Sequence, residues 1–259
     1  MNRWTRMSID LANQRNYLDL LFTIYPTIPE DCRDIDNGVW RRIENSFNSN
    51  DNTDLIRNLL DLELFPIKDS YVAYLRRDPS AIDRNPNTVN RLAGRAHELG
   101  LSKLFEKCSE PKETNRQIGP LFKAWVNSGS LGLIPVPYNE FVQTTENAIL
   151  NGSDNELMEF GRQYLGYNRE KGLDFLARFN GRYIIGEAKF LTDFGGHQNT
   201  QFADALATLD TPCNAVKIAI LDGVCYIPGN HKLYQGITNH GDACIMSALV
   251  LREFLYSVW

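Results

Sequence analysis

The chain has 259 residues, of which 27 are Lys or Arg and 32 are Asp or Glu, so its formal net charge is −5 at pH 7. Its apolar fraction of 43% and charged fraction of 23% are typical of a globular protein and exclude intrinsic disorder. No stretch approaches the roughly 20 uncharged apolar residues of a membrane span, so a membrane-spanning helix is excluded as well.

Basic and acidic residues are unevenly distributed along the chain. Residues 68–123 contain eleven basic and seven acidic side chains, whereas the remainder contains sixteen basic and twenty-five acidic ones. A locally basic segment in an acidic protein indicates either a polyanionic partner or a solvated helical surface, and the composition leaves both open.

The first half of the chain has the periodicity of helices. Helical patterns are predicted for residues 11–25, 55–64, 72–75 and 87–99, ending at Pro26, Pro66 and Gly100. We therefore expect a mainly helical region over residues 1–135, which is a candidate for DNA binding or dimerisation, and a separate core over residues 136–259.

The second half mixes helices with strands. Helices are predicted over residues 139–150, 155–165, 199–209 and 242–259, and strands over residues 173–179, 182–190, 215–221 and 224–227. This order predicts an α/β core. Five widely spaced cysteines without a CxxC pair, and a start without an apolar signal segment, favour a cytoplasmic protein with reduced thiols.

The Asn180-Gly181 pair predicts a hairpin, because a type I′ turn needs positive φ at both central residues. With this turn Phe179 faces Arg182, and Asp174 faces Glu187. Since side chains alternate along a strand, Lys189 lies on the same face as Glu187. The hairpin thus gathers two carboxylates and one ammonium.

Opposed carboxylates destabilise paired strands unless a positive charge lies between them. One ammonium cannot use all the acceptor capacity of two carboxylates, and a divalent cation that takes oxygen ligands fits better. The alternative is an edge hairpin whose charged face is simply solvated.

The spacing of these residues resembles a known nuclease motif. Asp174, followed after twelve residues by Glu187-Ala188-Lys189, resembles the PD-(D/E)XK nuclease superfamily, and within it a type II restriction endonuclease. The resemblance spans residues 159–227, with Leu173 in place of a proline that supplies no ligand. Glu110-Pro111-Lys112 has the same tripeptide form, but no strand surrounds it.

The resemblance implies a fold and a set of roles. The fold is a core of mixed β-sheet flanked by helices, behind a mainly helical N-terminal half. Asp174, Glu187 and the carbonyl of Ala188 would bind Mg²⁺, and Lys189 would position and help deprotonate the attacking water. Glu159, from the preceding helix, is a further predicted metal residue, because Glu156 is already explained by a capping box.

Two further segments are predicted to contact DNA. His197, Gln198, Asn199 and Gln201 follow two glycines at the start of a helix, where side-chain amides can pair with adenine. An ordinary glycine loop with a helix cap explains the same residues equally well.

Residues 96–102 have the small residue, glycine and serine spacing of a helix-turn-helix. This pattern also occurs in plain helical pairs. Arg91, Arg95 and Lys103 beside it are predicted DNA contacts.

The sequence thus predicts a Mg²⁺-dependent type II restriction endonuclease. Its partner is double-stranded DNA, its oligomeric state a homodimer suited to a palindromic site, and a cognate DNA methyltransferase belongs to the same system. Two alternatives stay open. One is a structure-selective or repair nuclease of the same fold, and the other is a non-catalytic helix-turn-helix DNA-binding protein.

Overall fold

The computed structural model describes residues 1–27, 32–111 and 117–259. The chain forms two compact units. One, called the sheet unit, comprises Met1–Thr27 and Thr114–Trp259, and the other, called the helical unit, comprises Ile28–Glu113. In the ranges described, no helix has both the length and the apolar character needed to cross a bilayer.

The helices, in chain order, are α1 (Arg3–Ala12), α2 (Tyr17–Phe22), α3 (Asn37–Asn48), α4 (Asn52–Leu60), α5 (Val72–Arg77), α6 (Ala81–Arg84), α7 (Pro86–Leu99), α8 (Leu101–Cys108), α9 (Ile118–Asn127), α10 (Tyr138–Gln143), α11 (Asp154–Phe160), α12 (Gly196–Leu209), α13 (Lys232–Asn239) and α14 (Leu251–Ser257). The strands are β1 (Ala148–Ile149), β2 (Phe175–Phe179), β3 (Arg182–Leu191), β4 (Val216–Gly223) and β5 (Cys244–Met246). One π-helical turn, Gly161–Leu165, continues α11.

The helical unit is held together by apolar faces of its helices. Leu55 and Leu59 of α4 and Leu92 and Ala96 of α7 are fully buried in one apolar cluster. The chain ends α7 at Gly100, whose φ of 76° is unfavourable for any residue with a Cβ. The helix end predicted at Gly100 is therefore confirmed.

The sheet unit is built on one mixed five-stranded sheet in the order β1-β2-β3-β4-β5. The first three strands pair antiparallel, while β3, β4 and β5 run parallel to one another. Helices pack against this sheet, so the predicted α/β fold with a mixed sheet flanked by helices is confirmed.

The predicted hairpin is present with the predicted pairing. Phe179 pairs with Arg182 and Ala177 with Ile184, and the turn residues Asn180 and Gly181 have φ values of 49° and 72°. Both central residues therefore have the positive φ that a type I′ turn requires. β3 has a strand on each side, and this central place buries its middle.

The N-terminal helix α1 packs against the last strand. Thr5 Oγ1 donates a hydrogen bond to the carbonyl of Ile245 at 2.8 Å, and Ser8 Oγ accepts one from the N–H of Ser247 at 2.9 Å. Thr5 and Ser8 are both buried. Because α1, α2 and α9 contribute to the core of the sheet unit, the compact units do not follow the predicted division into residues 1–135 and 136–259.

Two C-terminal elements differ from the prediction. Residues 224–227, predicted as a strand, contain the 3₁₀ turn Val224–Tyr226. Gly223 has a φ of 93°, and a Cβ there would lie 2.1 Å from the Leu191 carbonyl oxygen, so the chain turns out of the sheet at this glycine. Residues 242–259, predicted as one helix, contain β5, a 3₁₀ turn and α14.

The predicted helix over residues 139–150 is also wrong in its second half. The chain forms α10 first and then β1, whose continuation donates a hydrogen bond from the N–H of Leu150 to the carbonyl of Leu176 at 3.0 Å. A short apolar run suits a helix or a strand, and the free edge of β2 decides between them.

Candidate active site

Asp174 directly precedes β2, at the last main-chain hydrogen bond between this segment and β3. Its N–H donates to the carbonyl of Gly186 at 3.2 Å, and its Oδ2 accepts from the N–H of Ala188 at 2.8 Å. The carboxylate therefore takes the place of a main-chain acceptor beside β3. The register of the hairpin fixes its position.

Three oxygen atoms converge on the ammonium of Lys189. Its Nζ lies 2.6 Å from Oε1 of Glu187, 3.0 Å from the carbonyl oxygen of Ala188 and 3.2 Å from Oδ2 of Asp174. These are the three groups that the sequence predicts as metal ligands. The structure thus brings Asp174, Glu187, Ala188 and Lys189 together around one positively charged point.

Glu187 lies in the buried middle of β3, opposite Ala219 of β4, with only 1% of its surface exposed. Its Oε1 also contacts Lys171 Nζ at 2.7 Å, so one oxygen accepts from two ammonium groups. Its Oε2 is buried and has no hydrogen-bond partner among the described residues. A buried, unpaired carboxylate oxygen is costly, and it marks acceptor capacity that the protein alone does not use.

Burial and charge act on the pKa values of the two groups beside Glu187. Burial raises the pKa of the Asp174 carboxyl, and the nearby Glu187 raises it further, against the opposing effect of Lys189. For Lys189, burial favours the neutral amine, but the Asp174 and Glu187 carboxylates outweigh it and raise the pKa of the ammonium. Lys189 is therefore positively charged in this arrangement.

A cavity of about 510 Å³ opens beside the cluster. Asp174, Lys189 and Gln201 line it, together with Lys123 and Asp154, whose side chains form an ion pair at 2.5 Å. The cavity gives a substrate group access to Asp174 and Lys189. Neither Lys123 nor Asp154 was predicted as a site residue.

The structure does not bring Glu159 to this cluster. Its side chain is 57% exposed and forms a 3.5 Å ion pair with Arg162, one turn further along. The buried side chains of α11 are Leu157, Met158 and Phe160, and they set the rotation of the helix. Asp154, at the start of the same helix, lies on the cavity instead.

The four residues predicted to contact DNA at the start of α12 separate into two pairs. The amide of Gln198 bonds Thr192, and that of Asn199 bonds the carbonyl of Phe194, so both secure the loop before the helix. Gln201 and His197 contact each other, with their Nε2 atoms 3.1 Å apart. Of the four, Gln201 lines the cavity.

In the helical unit, Arg91 and Arg95 lie on one groove of about 500 Å³, together with Lys68 and Lys107. Arg91 pairs with Asp69 at 2.5 Å and Arg95 with Glu98 at 2.5 Å. Lys103 is exposed on α8 and is not among the residues of that groove. The single residue Gly100 separates α7 from α8, which is shorter than the three- or four-residue turn of a helix-turn-helix.

Sequence reasoning missed the polar groups around the cluster. Lys171 contacts Asp204 of α12, and Arg169 binds the same carboxylate at 3.0 Å. The position of Lys171, three residues before Asp174, is the one signal that could have identified it.

A second buried carboxylate, Asp222 near the end of β4, is not among the predicted site residues. Its oxygens accept from Ser247 Oγ at 2.5 Å, Tyr25 Oη at 2.8 Å and the N–H of Ala248 at 3.3 Å. Burial raises its pKa from 3.8 to about 7. A charged residue that ends a buried apolar strand is the signal that indicates such a site.

The donor set fits a hard divalent cation. No three His, Cys, Asp or Glu side chains form a metal-binding group within the described ranges. The groups that meet here are two carboxylates and a main-chain carbonyl, which are oxygen donors of the kind that Mg²⁺ takes while it retains waters. Oε2 of Glu187, which has no hydrogen-bond partner among the described residues, supplies a further oxygen acceptor.

The comparisons with known proteins identify a family. A family model described as "Tsp45I type II restriction enzyme" matches residues 2–258. No significant match was found among curated proteins or among solved structures.

Proposed function

The chain belongs to the Tsp45I type II restriction enzyme family, and we propose that it is a Mg²⁺-dependent endonuclease. It hydrolyses phosphodiesters of double-stranded DNA at a specific sequence, leaving 5′-phosphates and 3′-hydroxyls. The observation that carries this proposal is the convergence of Asp174, Glu187 and the Ala188 carbonyl on one cationic point beside an open cavity.

Asp174, Glu187 and the carbonyl oxygen of Ala188 would hold the metal. When bound, Mg²⁺ lowers the pKa of a water molecule and neutralises the charge that builds up on the phosphoryl oxygens. The hydrogen bond from the Ala188 N–H to Asp174 Oδ2 keeps that carboxylate in place. Glu159 has no part in this proposal, because its side chain lies elsewhere.

Lys189 would hold the attacking water by a hydrogen bond from Nζ and take a proton from it. The two carboxylates keep Lys189 protonated while they face it alone. A metal held by these carboxylates would weaken their effect on the Lys189 pKa, so the neutral amine, the form that can accept a proton from water, would be more accessible. The open side of the cavity admits the phosphodiester next to Nζ.

DNA contacts are proposed at two places, each within one unit. His197 and Gln201 lie at the catalytic cavity or next to it, and Gln201 can approach a base edge or a phosphate. Arg91, Arg95 and Lys103 provide positive charge on the helical unit, where the groove with Lys68 and Lys107 supports phosphate contacts.

The oligomeric state and the cellular location that we propose for the enzyme follow from its substrate. One site cuts one strand, so a homodimer with a twofold axis suits a palindromic target, and residues 1–135 are the proposed region for DNA binding or dimerisation. A cognate methyltransferase protects the same sequence in the host cell. The five free cysteines agree with the reducing cytoplasm, where that DNA lies.

A cleavage gel tests the proposal. Purified protein on unmethylated phage or plasmid DNA should yield discrete fragments with Mg²⁺ and none with EDTA, and sequencing the fragment ends gives the site and the stagger. Lys189→Ala and Asp174→Ala should each abolish cleavage and retain the fold, judged by circular dichroism. Retained cleavage in either variant contradicts the assignment of the hairpin.

The same gel separates the alternatives. A smear in place of bands indicates a structure-selective or non-specific nuclease of this fold. Uncut DNA that is nevertheless shifted without Mg²⁺, with Asp174→Ala unchanged, indicates a non-catalytic DNA-binding protein.

A further inference from the structure

Glu187 is held by a second ammonium, from Lys171, that belongs to no motif identified in the sequence. Lys171 lies on the irregular segment between the π-helical turn and β2, with its side chain 28% exposed. Its Nζ is 2.7 Å from Oε1 of Glu187. Lys189 contacts all three groups of the cluster, whereas the carboxylate partners of Lys171 are Glu187 and Asp204.

Lys171 is itself anchored to helix α12. Its ammonium contacts Oδ2 of Asp204, and the other oxygen of that carboxylate accepts from Arg169 at 3.0 Å. Arg169 also donates to Oγ1 of the buried Thr208 at 2.8 Å. A chain of charges therefore runs from α12 to the catalytic strand, and it fixes Lys171 independently of Lys189.

The two oxygens of Glu187 consequently have different roles. Oε1 accepts from both ammonium groups, while Oε2 is buried without a hydrogen-bond partner in the part of the chain that the structure describes. We propose that Lys171 is a positioning residue that fixes Glu187 through Oε1 and leaves Oε2 as the oxygen that binds the metal. This inference rests on the proposed function, since it assigns a role to Lys171 at the same site.

The expected effect is on metal affinity. Removal of a residue that orients a metal-binding side chain typically lowers the metal affinity roughly 10- to 100-fold. Lys171→Ala should therefore weaken Mn²⁺ binding to the DNA-free protein by about 10-fold or more, measured by electron paramagnetic resonance. Lys171→Arg keeps a donor at this position and should restore most of the affinity.

Two further variants complete the set. Asp204→Asn removes the anchor of Lys171 and should weaken Mn²⁺ binding in the same direction, by less. Lys232→Ala, at an exposed lysine on α13, is the matched control and should bind Mn²⁺ as the wild type does. Thermal unfolding of each variant establishes that it is folded under the conditions of the titration.

A cleavage assay separates positioning from catalysis. In Lys171→Ala the Mg²⁺ concentration for half-maximal cleavage should rise, and kcat should recover at saturating Mg²⁺. Wild-type Mn²⁺ affinity in folded Lys171→Ala, or a kcat loss that saturating Mg²⁺ does not restore, overturns the inference. If wild type and Asp174→Asn bind Mn²⁺ equally, the metal site itself fails, and the proposed function fails with it.

Discussion

Glu187 and Asp222 are buried carboxylates on neighbouring parallel strands, yet their surroundings differ in kind. Glu187 faces two ammonium groups and keeps one oxygen unpaired, beside residues that open onto a cavity. Asp222 accepts from two hydroxyls and one N–H, none of them charged, and both of its oxygens are satisfied. Unused acceptor capacity next to positive charge distinguishes the carboxylate proposed as reactive, and complete pairing with neutral donors distinguishes the one expected to be structural.

The largest expected effect is the loss of cleavage when Glu187, the carboxylate with the unpaired oxygen, is changed. Glu187→Gln keeps the shape of the side chain and removes its charge, so cleavage should fall about 10³-fold or more while the protein still folds. Single-turnover cleavage of a plasmid that the wild type cuts measures this loss. Activity within tenfold of the wild type would remove Glu187 from the catalytic set.

A change at Asp222, the fully paired carboxylate, should lower the free energy of unfolding. Asp222→Ala leaves Tyr25 Oη, Ser247 Oγ and the N–H of Ala248 without their acceptor, at an expected cost of about 3 kcal/mol in the free energy of unfolding. Urea unfolding measures this cost. Cleavage by the folded variant in the cold should stay close to that of the wild type, and a selective loss of cleavage would assign Asp222 to the catalytic machinery.

A pH series sharpens the comparison further. Burial raises the pKa of Asp222 from 3.8 to about 7, so the folded state binds this proton more tightly than the unfolded state. Stability from this group is therefore complete below about pH 4 and is lost as the pH rises towards 7, by at most about 1.4 kcal/mol per pH unit. The stability difference between wild type and Asp222→Asn should fall over that range. A difference that is constant with pH contradicts a raised pKa.

The smallest expected effect concerns the predicted accessory acid. Glu159→Gln changes an exposed side chain whose contact is Arg162, so cleavage should stay within about twofold of the wild type. A Mg²⁺ titration of cleavage with both proteins tests this. A large rise in the Mg²⁺ requirement would place Glu159 among the metal residues after all.

The sequence was sufficient to predict the hairpin and the close approach of four residues on it, Asp174, Glu187, Ala188 and Lys189. The Asn180-Gly181 turn determines which residues face each other, and the two-residue period of a strand then places Glu187 and Lys189 on one face. All of this information lies within a span of about twenty residues. The type and the end of α7 were also predictable, because this helix stops at Gly100. The helix predicted over residues 11–25 is instead divided between α1 and α2, and α4 ends at Leu60, well before Pro66.

The remaining site residues depend on packing between distant parts of the chain. Asp204 reaches Lys171 because α12 packs on β3 and β4, and no local pattern specifies that contact. The rotation of α11, set by its buried apolar side chains, places Asp154 on the cavity and Glu159 in solvent. The sequence did not indicate which face of each helix packs against the sheet.

The sheet unit is discontinuous in sequence, with the helical unit encoded between its two parts. Tyr25 and Asp222, which share a hydrogen bond, are 197 residues apart, and Thr5 and Ile245 are 240 apart. At about 5 to 20 residues per second, the ribosome needs roughly 10 to 40 s to synthesise the chain from Tyr25 to Asp222. A nascent chain that ends before Val216 lacks β4, the strand that pairs with β3 beside Glu187. The sheet can therefore be completed only after β4 and β5 have been synthesised.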